Sequence, residues 1–565
     1  MEQFKFKDIE YVRPDFDAIK KDLREYIDAL KKAASFEEIK RLFLEQNKKD
    51  GEFSTMFTVA SIRNTLNLND EFYDKEMQYI REENAKLIPL EKELSETILK
   101  LPFRKELEEE FGSLYFKDIE EKKRLLSEDI IEDTIEEGKL TQAYQKTAGK
   151  CKTVFRGEEC NFYGLLKHMQ STDREERKEA FKAWADLYES ASAELDDEYV
   201  KLVAIRDRKA KKLGFKSYTE MAYLSRSRYD YNAEDVAGFR KQVVDVIVPV
   251  VAGFYEAQRK RIGVDKLHYY DEFLCFPDGN AMPHGTKDEM VAAAKEMYRE
   301  LSKETGEYFD FMTEHELFDL DTRPGKHLGG YCTFLEKYKA PFIFSNFNGT
   351  SADVDVLTHE AGHAFEAYVA SRVQPLSSLV WSTSEINEIH SMSMELFTHP
   401  WMEKFFGEKA DKYRFYHLVD ALSSIPYLCA VDEYQHLVYA KPEADAAEHR
   451  KMWQEVEKKF LPWRDYDGNE FLEGGGFWMQ KQHIFLYPFY YVDYALAQLC
   501  AFDLFGLSLE NKEEAWNNYM TLLRLGGSRG YFETLETAHI RNPFKEGNVE
   551  KIVASVVKEI EKMKF

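Results

Sequence analysis

The sequence predicts a mainly α-helical protein with one small β-ribbon, and three observations carry that prediction. Gly (28) and Pro (15) are sparse among 565 residues, which favours long helices over a turn-rich β architecture. Apolar residues recur at helical spacing through most of the chain. The one irregular stretch, residues 323–350, holds paired glycines and two short apolar runs. Hydrophobic residues make up 44% and aromatics 14%, enough for a sizeable core in one large unit or a few ordinary domains.

Residues 15–150 read as successive amphipathic helices rich in Glu and Lys. Within 17–33, Ile19, Leu23, Ile27 and Leu30 fall at helical spacing. Residues 172–188 open with a capping-box pattern, Thr172 with Glu175, and repeat Phe181, Trp184 and Tyr188 on one face. Charge runs such as 106–111, ELEEEF, are solvated helix faces. The apolar run 243–254 is too short to span a bilayer and carries Asp245 and Pro249. In the irregular stretch, 341–347 (PFIFSNF) reads as a strand and 329–334 (GGYCTF) as a strand or turn. A strand edge beside a cleft can pair with an extended peptide. Glycine clusters at 474–476 and 526–530 read as loops or hinges, since neither fits a phosphate-binding strand–loop–helix with a Lys.

The net charge of −25 repels nucleic acid and anionic membrane surfaces, so neither is expected as a partner. The N-terminal residues interleave charges with aromatics and do not read as a signal peptide. Six cysteines with no CxxC pair read as reduced thiols. A cytoplasmic protein is the expectation.

The chemistry concentrates at 353–370, DVDVLTHEAGHAFEAYVA. His359 and His363 are four residues apart, so on a helix both imidazoles share one face and reach one ion. Glu360 is rotated by about 100° from His359, where it can take a proton from water rather than bind the ion. Val354, Leu357, Ala361, Phe365 and Tyr368 form an apolar stripe away from the histidines. Gly362 costs about 1 kcal/mol inside a helix, which points to close approach by another element or by substrate.

A catalytic zinc needs a third protein ligand and an open position. The metzincin layout would put a His at 369, which is Val369. Layouts with a Glu some twenty residues on meet Ser382 and Thr383. The next acidic cluster, 383–397 (TSEINEIHSMSMELF), sets Glu385, Glu388 and Glu395 on one helical face, with His390 roughly opposite Glu388. Spacing leaves the choice among the three carboxylates open. Farther on, Pro488 suits the first turn of a helix, which puts His483 in the preceding loop and Tyr491, Tyr494 and Gln498 on one face.

The motifs HEAGHAFEAY and EINEIHSMSMELF resemble the thimet oligopeptidase/oligoendopeptidase F family of zinc metallopeptidases, closest to its bacterial oligoendopeptidase F and Pz-peptidase branch. Residues 205–223, GGYCTF, PFIFSNF and 483–499 (HIFLYPFYYVDYALAQL) are similar to the same branch, so the resemblance spans about 115–545. It implies a zincin-like helical metallopeptidase with two lobes enclosing a deep channel, divided as a 1–200 N-terminal helical lobe and a 201–565 catalytic region. It implies one Zn2+ per chain held by His359, His363 and Glu388, with Asp355 and Glu395 supporting those ligands. Glu360 is implied as general base, with His483, Tyr491 and Tyr494 as donors to the developing oxyanion. Gly329, Gly330, Phe344, Asn346 and Tyr487 are expected against the peptide, whose backbone pairs with the Phe342–Phe347 edge or with Gly329–Gly330. The implied activity is hydrolysis of internal bonds in short unstructured peptides. A zinc carboxypeptidase or dipeptidyl carboxypeptidase is the rival within enzymes, because Lys326, Arg524 or Arg529 can meet a substrate carboxylate. A non-catalytic peptide-binding protein with structural zinc is the rival outside them, and the intact Glu360 opposes it.

Overall fold

A computed structural model describes residues 4–323, 325–327 and 329–565. Helices dominate, and two small sheets interrupt them. The chain forms two compact units built from interleaved segments. One comprises 1–128, 282–410 and 500–542; the other comprises 129–281, 411–499 and 543–565. The boundary expected at residue 200 falls inside the helix Arg174–Lys212.

The first unit starts with the helix Phe16–Lys32, whose Asp15 carboxylate accepts from the Asp17 and Ala18 amides at 3.0 and 3.1 Å. Ile27 and Leu30 are buried, and Ile19 and Leu23 pack against the core beside them. The long helix Phe36–Leu66 follows, capped by Ser35.

The strands, in chain order, are β1 (Thr153–Phe155), β2 (Glu158–Cys160), β3 (Phe318–Asp321), β4 (Tyr331–Leu335) and β5 (Ala340–Phe347). The first two form a hairpin in the second unit, and the other three form a sheet in the first. That sheet has the order β3–β5–β4, with β5 parallel to β3 and antiparallel to β4. β5 is therefore the central strand, but its pairing with β4 ends at Phe344, and Phe347 is in register with β3 alone. Within Phe342–Phe344 both sides are taken by β3 and β4, so an extended peptide finds its edge at β4, at its lead-in Gly329–Gly330, or beyond Phe344. Nothing in the sequence marked β3, because Phe318–Asp321 carries two aspartates in four residues.

In the second unit the 39-residue helix Arg174–Lys212 buries Phe181, Trp184 and Tyr188 as the periodicity requires. Its cap is Asp173, which accepts from the Glu175 amide at 3.0 Å, and not Thr172. The apolar run near 243 forms a π-helical turn, Val243–Ile247, leading into the helix Val248–Ile262. Pro249 has no N–H to continue an α-ladder, and the extra residue of a π turn absorbs that loss. The helix Tyr491–Glu510 has the length and hydropathy of a membrane span, but 72% of its most apolar window is buried in the protein, as in a core helix.

Candidate active site

The histidine helix, Ala352–Val373, begins where Asp353 accepts the Asn348 and Gly349 amides at 2.9 and 2.7 Å. Val354, Leu357, Ala361 and Phe365 are fully buried along its inner face. The neighbouring helix, Ser384–Phe397, packs against it. Gly362 is the reason they approach so closely. A Cβ there would meet Ser391 Cα at 2.6 Å and the His390 carbonyl oxygen at 2.9 Å.

This approach brings His359, His363 and Glu388 together, with one ligand atom from each within 4.8 Å of the others. Glu388 Oε2 lies 3.4 Å from Nε2 of both histidines. Ligands about 2.0–2.1 Å from a tetrahedral zinc stand about 3.3 Å apart, so two imidazoles and a carboxylate at this separation fit that ion. Ser391 donates its hydroxyl to Glu388 Oε2 at 3.1 Å and holds the carboxylate in place. Glu395 Oε1 lies 2.5 Å from His359 Nδ1, which keeps the proton on Nδ1 and turns the Nε2 lone pair toward the site.

The electrostatics fit a cation as well. Burial disfavours charge on His359 and His363, yet Glu388 and Glu395 hold His359 well above the usual histidine range, and Glu388 chiefly holds His363 up at about 9. Burial would raise Glu388, but the two histidines hold it well below the ordinary carboxylate range. Protons on the imidazoles stand here where a divalent cation would displace them. Glu360 is 9% exposed and burial pushes its carboxyl up, the direction that suits a group receiving a proton near neutrality.

Gly330 keeps the space in front of Glu360 open. A Cβ on residue 330 would sit 3.6 Å from Glu360 Oε1 and 3.3 Å from the Phe344 carbonyl oxygen. Gly329 has φ 88°, a conformation that favours glycine. Asn346 donates its amide to the His327 and Gly329 carbonyls at 2.8 and 2.9 Å, so its side chain shapes this loop. Phe344 is fully buried, stacked on Tyr331 at 4.7 Å with the Lys326 ammonium 4.4 Å from its ring centroid. Its side chain serves the sheet and presents nothing to a peptide.

Asp355 is half-buried one turn before His359, with the Thr358 hydroxyl donating to its carbonyl at 3.0 Å. A carboxylate that sequence reasoning missed is Glu366, fully buried and 3.0 Å from His390 Nδ1. It stands 3.9 Å from His363 Nδ1, too far for a direct hydrogen bond. The buried Glu366–His390 contact ties the two helices behind the histidines. The i,i+3 spacing from His363 to Glu366 was the available signal.

The second unit gathers the other expected residues. His483 lies in a short helix, Gln482–Leu486, and not in a loop; the helix bearing the tyrosines starts at Tyr491, beyond Pro488. The His483 ring is 4.8 Å from Tyr491 and 6.2 Å from Tyr494, and the two tyrosine rings are 5.7 Å apart. Tyr487, 53% exposed, lies 5.8 Å from His483. The ligand group and the His/Tyr group are thus each assembled within a separate unit.

Two family models match the chain: the Peptidase M3 N-terminal domain at residues 6–126 and Peptidase family M3 at residues 167–553. The oligoendopeptidase F homolog of Borreliella burgdorferi is 22% identical over 444 residues, 74% of this chain and 72% of that protein. Oligopeptidase PepF of Bacillus subtilis is 22% identical over 408 residues, 69% of this chain and 57% of that protein. The structure of Pz peptidase A solved with an inhibitor is 45% identical, covers 99% of both chains and matches with a TM-score of 0.95. The Peptidase family M3 match alone takes in well over half of the residues, and the chain belongs to that family and is a peptidase.

Proposed function

We propose that the chain is a zinc-dependent oligoendopeptidase that cleaves internal bonds of short unstructured peptides. The observation that carries this is Glu388 at 3.4 Å from both His359 Nε2 and His363 Nε2, with Glu360 beside the opening kept by Gly330. These three residues would hold one Zn2+, which supplies Lewis-acid activation of water and of the scissile carbonyl. Glu360 takes the proton from the attacking water on its carboxylate and hands it to the leaving amine. His483, Tyr491 and Tyr494 donate hydrogen bonds to the carbonyl oxygen as it gains charge. The edge of β4, continued by Gly329–Gly330, pairs with the peptide backbone and holds it extended. Tyr487 is a peptide contact on the same reading.

An exopeptidase needs a free cation for a substrate terminus, and Lys326 does not supply one. It is 5% exposed and donates to Asp319 Oδ1 at 2.7 Å, to the Asp319 and Asp321 carbonyls at 3.1 and 2.8 Å, and to the Ser345 carbonyl at 2.5 Å. Arg529 is paired with Glu533, while Arg524 is exposed and stays the candidate for that terminus. Six unpaired thiols accord with a cytoplasmic site of action. The test is a peptide blocked at both ends, incubated with enzyme before and after chelator treatment. Internal cleavage that disappears with chelator and returns with zinc is the expected result. Failure to cut the doubly blocked peptide while cutting its free-carboxyl form would overturn the endopeptidase reading.

A further inference from the structure

The backbone between His483 and Tyr491 is gripped by arginines from far back in the chain. Arg206, on the helix Arg174–Lys212, donates Nη2 to the Phe485 carbonyl at 2.5 Å. Its other nitrogens are fixed by Glu137 at 2.7 Å and the Tyr439 hydroxyl at 3.0 Å. Arg226 donates Nε to the Pro488 carbonyl at 2.8 Å, and its guanidinium carbon lies 4.9 Å from the Tyr490 ring centroid. Arg228 donates Nη2 to the Phe489 carbonyl and to Asp493 Oδ1, both at 2.5 Å. Arg206, Arg228 and Asp493 are 1%, 5% and 0% exposed. Burying a guanidinium is costly, and its cheapest partner is a carboxylate. Here three guanidiniums each spend a donor on a neutral carbonyl of the stretch 485–489.

Local hydrogen bonds hold part of that stretch: the Tyr487 N–H donates to the His483 carbonyl at 2.9 Å and the Tyr490 N–H to the Tyr487 carbonyl at 3.2 Å. Phe489 is a fully buried aromatic at φ 62°, a left-handed conformation that is strained outside glycine. Its N–H is taken by Gln435 Oε1 at 3.0 Å, so no local turn satisfies it. The helix carrying Tyr491 and Tyr494 begins two residues later. The direction of that helix, and the placement of its first-turn phenols relative to His483, follows from the turn at Phe489.

We infer that Arg206, Arg226 and Arg228 are positioning residues that preorganise His483, Tyr491 and Tyr494 for the transition state. The inference rests on the role given to those three donors under the proposed function. Donors aimed at a developing charge are effective when they need not rearrange during the reaction. A strained turn pinned at three carbonyls meets that need, and a 1 Å misplacement can cost about a hundredfold in rate.

The test uses the zinc-loaded full chain and an internally quenched peptide. Arg226→Lys and Arg228→Lys keep the charge and lose the planar fork. Gln435→Met removes the acceptor for the Phe489 N–H without touching a charge. Measured together are kcat, KM, zinc content and the unfolding midpoint. Expected is a fall in kcat of about tenfold to a hundredfold, with KM within about twofold and zinc content unchanged. Guanidinium at low millimolar concentration should restore part of the kcat of Arg228→Ala. Unchanged kcat in all three conservative variants overturns the inference. So does a kcat loss that vanishes when each variant is assayed well below its own unfolding midpoint. Tyr491→Phe and Tyr494→Phe are run beside them. Full kcat in both would sink the donor role and the inference with it. Reduced kcat there, with the arginine and Gln435 variants unaffected, would sink the inference alone.

Discussion

The His/Glu group of the first unit and the His/Tyr group of the second are stabilised by opposite means. In the first, the functional residues hold one another. Glu388 spans two imidazoles, Glu395 fixes the outer nitrogen of His359, and the charges are mutually compensated. In the second, the functional rings sit close, but the order comes from outside. Arg206, Arg226 and Arg228 grip the backbone between them, and Asp493 anchors the helix that follows. A cation site can rely on Coulomb attraction among its own ligands. Neutral phenols attract one another weakly, so their geometry has to be imposed by the scaffold.

This contrast can be broken in graded steps. The largest effect is expected at Glu360, where Glu360→Gln removes proton acceptance and leaves the ligands alone. Turnover should fall about 10²–10⁴-fold while metal analysis still finds one zinc per chain. Activity within a few-fold of the parent would remove Glu360 from the chemistry.

A smaller loss is expected from Gly362→Ala. Alanine normally favours a helix by about 1 kcal/mol over glycine. Here its Cβ would meet backbone at 2.6 and 2.9 Å, so the helices must separate, at a cost of about 1–3 kcal/mol. Denaturant unfolding should show net destabilisation, and zinc should bind more weakly because Glu388 moves with its helix. A stabilised variant would mean that the approach of the two helices is looser than these distances imply.

The mildest probe is pH. In the metal-free protein His363 keeps its proton up to about 9. Zinc must displace that proton and the one on His359, so binding releases them, and apparent affinity rises with pH until both imidazoles are neutral. Chelator-competition titrations of metal-free protein should show at least about a tenfold gain per pH unit up to 9. Equal affinity at pH 7 and pH 9 would contradict the mutual compensation described for this group.

Legibility in the sequence followed the range of the interactions. The helical class, the caps' approximate places and the His359–Glu360–His363 face could all be read, since each depends on residues within a turn or two. The cap of the helix Arg174–Lys212 was misread by one residue, because Thr172 and Asp173 are both good acceptors and only the backbone path selects Asp173. Phe342–Phe347 was readable as a strand. Its central place in the sheet was not, because β3 looks like a polar turn in sequence and is a strand only by pairing with β5. Lys326 looked free in a glycine-rich loop, and four oxygens within 3.1 Å consume it.

The sequence by itself determined that two imidazoles and a proton acceptor share one helix, since 3.6 residues per turn leaves no other arrangement of that pentapeptide in a helix. It also narrowed the third ligand to a face of three carboxylates. The tertiary structure brought Glu388, of the three, to 3.4 Å from both imidazoles, through the helix contact that Gly362 permits. It alone brought Glu366 to His390 and the arginines to the 485–489 turn, pairings separated by 24 residues in one case and more than 250 in the other. Such contacts carry no local signature. They form because a buried charge must find its partner wherever the folded chain supplies one.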